Sequence, residues 1–242
     1  MEYKNTAINY TVSGCGDKVV LFLHGWAGSI SSFEGLQKIL SKDYTCINLD
    51  FPPFGKSATP TTPWTVQDYA VMVIGLLDKL NINKVNIVCH SFGARVAIYI
   101  ASLTSRVDKL IITGGAGVKP RPSIKRSFKV FKFKLAKFAV KLKLAKPTFL
   151  DRFGSDDYRV LPPVMKQTFK NIVNFDQTDM LKYIKCATLL FWGDKDNQTP
   201  LYMARTMAKH IPDYALLVYS GGHFVYLQHF SIFVRVVKQF LI

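Results

Sequence analysis

The sequence predicts an α/β fold, a doubly wound and mostly parallel sheet with helices on both faces and a long insertion late in the chain. Three observations predict it. Short apolar runs rich in β-branched residues alternate with segments of helical spacing. A serine, a pair of aspartates and a histidine each sit just past such a run, at Ser91, Asp194/Asp196 and His223. The alternation then breaks over 118–178, some 60 residues, more than a simple crossover needs.

The elements follow in order. Apolar strands are expected at 6–12, 18–24, 44–49, 84–89, 107–113, 186–192 and 214–219, the leading pair antiparallel. Helices are expected at 31–41, 66–80, 92–103, 200–210 and 224–240. Val66, Tyr69, Ala70, Val73, Leu76, Leu77 and Leu80 repeat at helical spacing. Pro200 suits a first helical turn. Internal repeats and low-complexity segments are absent.

Chemistry concentrates at the strand ends. The run Val85-Asn86-Ile87-Val88-Cys89-His90-Ser91-Phe92-Gly93 leads an apolar strand into a helix through a serine. Such a turn holds the hydroxyl outward and needs small neighbours, as in a nucleophile elbow. Cys89 replaces the usual first glycine; Gly93 keeps the second place. A serine hydroxyl needs a base, and the base needs an orienting group. His223, in Ser220-Gly221-Gly222-His223, is the candidate base. The acid lies in Trp192-Gly193-Asp194-Lys195-Asp196. Near the N-terminus an apolar strand runs into His24-Gly25-Trp26-Ala27-Gly28. A glycine-containing turn there aims backbone N–H groups at a developing oxyanion, the candidate donors being the amides of Trp26 and Phe92.

Together, His24-Gly25-Trp26, Asp50-Phe51-Pro52-Pro53-Phe54-Gly55-Lys56-Ser57, the elbow, Trp192-Gly193-Asp194-Lys195-Asp196 and Gly222-His223 resemble the α/β-hydrolase fold family. The chain looks closest to its small bacterial carboxylesterases and carbon–carbon bond hydrolases. The motifs span residues 19 to 117 and 186 to 242. Pro53, where the family usually has glycine, is a departure in a loop. The resemblance implies Asp196 rather than Asp194 as the acid, because the family places it three residues after the strand-end glycine. It implies a hydrolase core at 1–117 and 179–242 with a helical cap at 118–178. It implies a serine hydrolase of an ester or related acyl bond, with the triad Ser91, Asp196 and His223 and no metal or organic cofactor. Hydrolysis of a carbon–carbon bond in a vinylogous diketone uses the same triad and stays open. So does a ligand-binding receptor on the same fold. A serine at the elbow argues against the dehalogenase and epoxide-hydrolase branches.

Other polar residues carry plainer readings. His24 and His90 are expected to bond loop backbone, and His210 and His229 to lie at helix surfaces. Asp50 reads as a loop organiser, Asp194 as a turn residue. Arg95 reads as a structural hydrogen-bonder or ion-pair member, with contact to substrate as the lesser alternative.

Composition bounds the rest. The chain has 242 residues, 49% of them hydrophobic, enough for one α/β domain with a large core. The cysteines, at 15, 46, 89 and 186, lack metal or disulfide spacing. With no signal pattern at Met1-Glu2-Tyr3-Lys4-Asn5 and no uncharged apolar run near 18 residues, they suggest a reducing, cytoplasmic location. Residues 119 to 146 hold eleven Lys or Arg and no acid, +11 of the formal +16. Ile124, Phe128, Phe131, Leu135, Phe138, Leu142 and Ala145 form one apolar stripe through them. The plainest reading is a cap helix packed on the core with solvated lysines. Contact with an anionic membrane surface comes next, then attraction of acidic substrates. Specific nucleic-acid binding is not expected, since no such module is visible. The expected partner is a small ester or acyl substrate.

Overall fold

A computed structural model of the chain describes residues 1–121, 132, 138, 140, 156–159 and 161–242. Its centre is a seven-stranded sheet in the order β3-β5-β4-β6-β7-β8-β9. These strands are β3 (Tyr10–Ser13), β4 (Val19–Leu23), β5 (Thr45–Leu49), β6 (Val85–His90), β7 (Val107–Thr113), β8 (Ala187–Gly193) and β9 (Tyr214–Tyr219). Only β3 runs antiparallel among them.

Two expectations about the N-terminal region are corrected. The single strand at 6–12 is two pieces: Thr6–Ala7 closes a small antiparallel hairpin with Glu2–Tyr3, and Tyr10–Ser13 joins the main sheet. The turn between Tyr3 and Thr6 carries positive φ at Lys4 and Asn5, which reverses the chain. The antiparallel partner of Tyr10–Ser13 is β5, not the next strand in sequence.

Parallel strands with both faces covered explain the unbroken apolar runs. Leu21, Leu23, Ile87, Cys89, Leu110, Ile112, Leu190 and Trp192 point to one face. There they meet α2 (Val66–Lys79), α3 (Phe92–Leu103) and the helix Leu201–His210. Val20, Phe22, Val88, Ile111, Leu189 and Phe191 point to the other, against α1 (Glu34–Leu40) and the C-terminal helix Phe230–Leu241. Each such fully buried side chain contributes about 1.5–3 kcal/mol.

Helix starts and breaks are local. A capping box at Thr65 and Asp68 opens α2. Ahead of α1 lies a short 3₁₀ turn, Ile30–Ser32, so the expected 31–41 helix is shorter. The expected 224–240 helix is two, Val225–Gln228 and Phe230–Leu241, broken at His229, which therefore caps a helix rather than lying on one. Pro200 precedes its helix as the N-cap.

Within residues 118–178, Asp156–Arg159 and Pro163–Asn174 are helical. Most of the basic stretch 119–146, with the cap helix read there, lies outside the described residues. No helix among the described residues is long and apolar enough to cross a membrane.

This topology positions the site. From β4 the chain steps to β5 on one side and then returns to β6 on the other. The loops leaving β4 and β6 therefore diverge at the carboxyl edge, where open α/β sheets bind ligands.

Candidate active site

The strand β6 is buried along its whole length and ends at His90. Ser91 then adopts φ 49°, ψ −109°, and α3 starts at Phe92. A positive φ on a non-glycine residue costs about 1–3 kcal/mol and must be held by its surroundings. Ser91 N–H donates to Thr113 O at 3.2 Å, and Ser91 O accepts from Ala94 N at 3.1 Å and Ala116 N at 3.0 Å. A Cβ on Gly93 would lie 2.1 Å from Leu23 O, so only glycine lets α3 approach β4 this closely. Cys89 is accommodated because its thiol points into the core and donates to Ile111 O at 3.3 Å. Burial pushes that thiol's pKa well up.

Two unpaired amides border the serine. The loop after β4 touches it: a Cβ on Gly25 would sit 3.2 Å from Ser91 Cβ. Trp26 N–H has no hydrogen-bond partner among the described residues. Neither has Phe92 N–H, at the first position of α3, where a helix leaves its amides free. Trp26 packs edge-on against Phe54, Phe92 and Phe169.

Past β8 and β9 a second pair assembles. His223 Nδ1 donates to Asp196 Oδ2 at 2.8 Å, both residues buried. Asp196 Oδ1 accepts from Gln198 N at 2.8 Å and Thr199 N at 2.9 Å. Thr199 Oγ1 stands 2.8 Å from Asp196 Oδ2 and 2.9 Å from Gly114 O. Burial opposes the charge on Asp196, but bonds from His223 and Thr199 outweigh it and hold the carboxyl below the usual range. An ionised carboxylate only accepts, so Nδ1 carries a proton, and in the neutral imidazole Nε2 is the nitrogen that bears the lone pair.

Ser91 and His223 line one cavity of about 920 Å³. Ser91 Oγ makes no hydrogen bond to a described residue. Catalytic hydrogen bonds are often long without substrate and tighten once it is bound. Phe169, Ile172 and Val173, from the helix Pro163–Asn174, supply part of the apolar wall.

The remaining candidates sort by their partners. Asp194 accepts from Gly221 N–H at 3.0 Å, as a turn residue would. Asp50 binds Asn9 Nδ2, Ile30 N and Lys56 N, and so ties three loops together. His24 donates from Nδ1 to Gly25 O at 2.7 Å and accepts from Phe51 N at 2.8 Å, so both nitrogens are taken. Burial pushes its pKa down to about 4. His90 Nδ1 donates to Thr113 O at 2.9 Å. Burial, with His223 beside it, pushes His90 down to about 3. Arg95 Nη1 donates to Phe175 O at 2.6 Å, the structural bond expected, yet its side chain also lines the cavity.

Sequence reasoning missed Thr199 and Gln198, which hold the Asp196 carboxylate. The run Asp196-Asn197-Gln198-Thr199-Pro200, an aspartate before turn residues and a helix, was the available signal. Among the described residues no cluster of His, Cys, Asp and Glu has the geometry to hold a metal ion.

The sequence profile of the alpha/beta hydrolase family matches residues 20–236. The chain belongs to this family. Within the family it is similar to the uncharacterised hydrolase YugF of Bacillus subtilis, 27% identical over 234 residues, 86% of this chain and 82% of that protein. It is 24% identical over 260 residues to the 2-hydroxy-6-oxononadienedioate/2-hydroxy-6-oxononatrienedioate hydrolase of Burkholderia vietnamiensis, 97% of this chain and 90% of that one. The enol-lactonase of Burkholderia xenovorans superposes with a TM-score of 0.75 at 19% identity, covering 97% and 96% of the two chains. At that identity the likeness is one of fold. An alpha/beta hydrolase with this mostly parallel sheet is what the motifs implied.

Proposed function

We propose that this alpha/beta hydrolase cleaves an ester or related acyl bond of a small molecule through an acyl-enzyme. The observation that carries the reading is a serine on strained backbone, its hydroxyl unbonded among the described residues, that shares one cavity with a buried Asp196–His223 pair.

In this mechanism Ser91 Oγ attacks the carbonyl carbon while His223 Nε2 takes its proton. Asp196 holds the imidazole in the tautomer that leaves Nε2 free and stabilises the imidazolium that forms. The amides of Trp26 and Phe92 receive the developing oxyanion. One such donor is worth about 2.7–4 kcal/mol in the transition state. His223 then protonates the leaving group, and water, deprotonated in turn by His223, releases the acid and restores Ser91.

The test is labelling with a fluorophosphonate, located by mass spectrometry, beside turnover of short-chain p-nitrophenyl esters. Ser91 should carry the adduct, and Ser91→Ala should abolish both. An adduct elsewhere would contradict the assignment. Ligand binding without any turnover would favour a receptor instead.

A second reading is carbon–carbon bond hydrolysis, supported by the name of the relative matched over 260 residues. It uses the same three side chains. Loss of the absorbance of a vinylogous diketone, with esters left untouched, would select it.

A further inference from the structure

Arg95 is a buried cation that forms no ion pair among the described residues. It is 7% exposed and one helical turn beyond Ser91 on α3. Among the described residues its side chain makes one hydrogen bond, from Nη1 to Phe175 O, and no ion pair. The acid nearest in influence, Asp176, is turned aside: it accepts from Thr178 N at 3.1 Å and Thr178 Oγ1 at 2.7 Å. The other guanidinium nitrogens are not among the buried atoms left unsatisfied, and Arg95 forms part of the wall of the Ser91 cavity. Among the described residues of that wall, Arg95 is the only permanent charge, and no acid is present.

Burying a charge is unfavourable unless something pairs with it. One backbone carbonyl returns little of that, and it uses only one of the N–H groups that the guanidinium presents in a rigid fork. The fork matches a carboxylate in two parallel hydrogen bonds. Its position is equally specific. Ser91 is the N-cap of α3 and Arg95 is the fourth residue of that helix, about 6 Å further along its axis. A ligand that reaches both carries its anion a few bonds from the carbonyl that reacts.

We propose that Arg95 is the anchor for a substrate carboxylate, so that the molecules this protein takes are short acids bearing a second, scissile acyl group. The inference rests on the hydrolase reading for the word substrate; the anion site itself does not depend on turnover. Pairing with the carboxylate supplies the counter-charge that Arg95 lacks among the described residues and fixes which carbonyl meets Ser91. The apolar wall from Phe169 and Ile172 is left to cover the carbon chain between them.

The experiment compares mono-p-nitrophenyl glutarate with p-nitrophenyl valerate, which share a chain length and differ by one carboxylate. Wild type should favour the glutarate in kcat/KM. Arg95→Met should lower the glutarate-to-valerate ratio by about 30-fold or more, as loss of one member of a buried charge pair does. Arg95→Lys, which keeps the charge and loses the fork, should restore part of the ratio, and it carries the comparison if the Met variant does not melt like wild type. A binding arm uses Ser91→Ala with monoethyl glutarate in calorimetry, where binding should weaken at least tenfold in Ser91→Ala/Arg95→Lys. A wild type that prefers valerate, or a ratio unmoved by both substitutions, would overturn the proposal while leaving an esterase. Absence of all ester turnover, with Arg95-dependent binding of monoethyl glutarate intact, would overturn the esterase reading and leave the anion site. Absence of that binding would remove the site itself.

Discussion

His223 Nδ1 meets Asp196 Oδ2 at 2.8 Å, while Asp194, two residues earlier in the same turn, accepts from the Gly221 amide. The two aspartates leave one strand end and take different work. Asp196 is buried among donors, and Asp194 is exposed on the turn.

That division predicts unequal effects of the same substitution. Asp196→Asn should cut kcat by about 10⁴-fold, because an amide that donates to Nδ1 forces the proton onto Nε2. Asp194→Asn should stay within about threefold, since its oxygen still accepts from Gly221. Steady-state kinetics on one p-nitrophenyl ester, with circular dichroism as the folding check, separates them. Equal losses would mean that the acid has been misassigned.

Gly93 should tolerate no side chain. An alanine Cβ there would lie 2.1 Å from Leu23 O and 2.9 Å from His24 O, both backbone atoms. Relief requires α3 to move off β4. Gly93→Ala should destabilise the fold by about 3 kcal/mol or more, read as a shift in the urea midpoint at unchanged slope. Gly222→Ala, where a Cβ meets nothing within 4 Å, is the contrasting control.

Acid should weaken the fold before the carboxylates titrate. His24 and His90 have folded pKa values of about 4 and about 3, below the ordinary 6.5. The unfolded chain therefore binds more protons than the native one in that window. Their contribution is fully present above pH 6.5 and is lost as pH falls toward 4 and then 3, at about 1.4 kcal/mol per pH unit for each histidine. Asp196, held below its ordinary 3.8, adds a further loss beneath that pH. Denaturant melts from pH 7 to pH 4 should show the decline, and His24→Asn should flatten it while lowering stability at pH 7, where the Phe51 amide loses its acceptor. A flat wild-type profile between pH 7 and pH 5 would count against neutral buried histidines.

Thiol reactivity should be confined to one position. Cys15 is exposed, whereas burial raises Cys186 to about 11, Cys46 to about 12 and Cys89 well above its ordinary value. The thiolate is the reactive species. Native protein should therefore react with Ellman's reagent at Cys15 first, the other three following only on unfolding. Early modification of Cys89 would mean that the elbow opens.

Much of this was readable along the chain because the signals are local. Sheet strands buried on both faces must be apolar throughout, so β4, β6, β7 and β8 announce themselves. A serine on this strand-to-helix turn needs Gly93, and a loop packed against that serine needs Gly25, so the elbow and its neighbour loop are written in consecutive residues. The N-terminal strand and the C-terminal helix were each read as one piece. Their breaks, at Ile8–Asn9, whose amides turn to Met1 O and Ser57 Oγ, and at His229, which caps both helices, are local departures that periodicity does not register.

The sequence by itself determined the fold class, the strand-end positions of Ser91, Asp196 and His223, and the small residues that let backbones touch. Tertiary structure alone decided the further partners: that Thr199 and Gln198 hold Asp196, that β3 pairs with β5, and that Arg95 lines the cavity of Ser91. The reason is the range of the forces. Dihedral preference and burial patterning act within a few residues, whereas a hydrogen bond or a cavity wall joins atoms brought together by the crossing of the chain at its switch point.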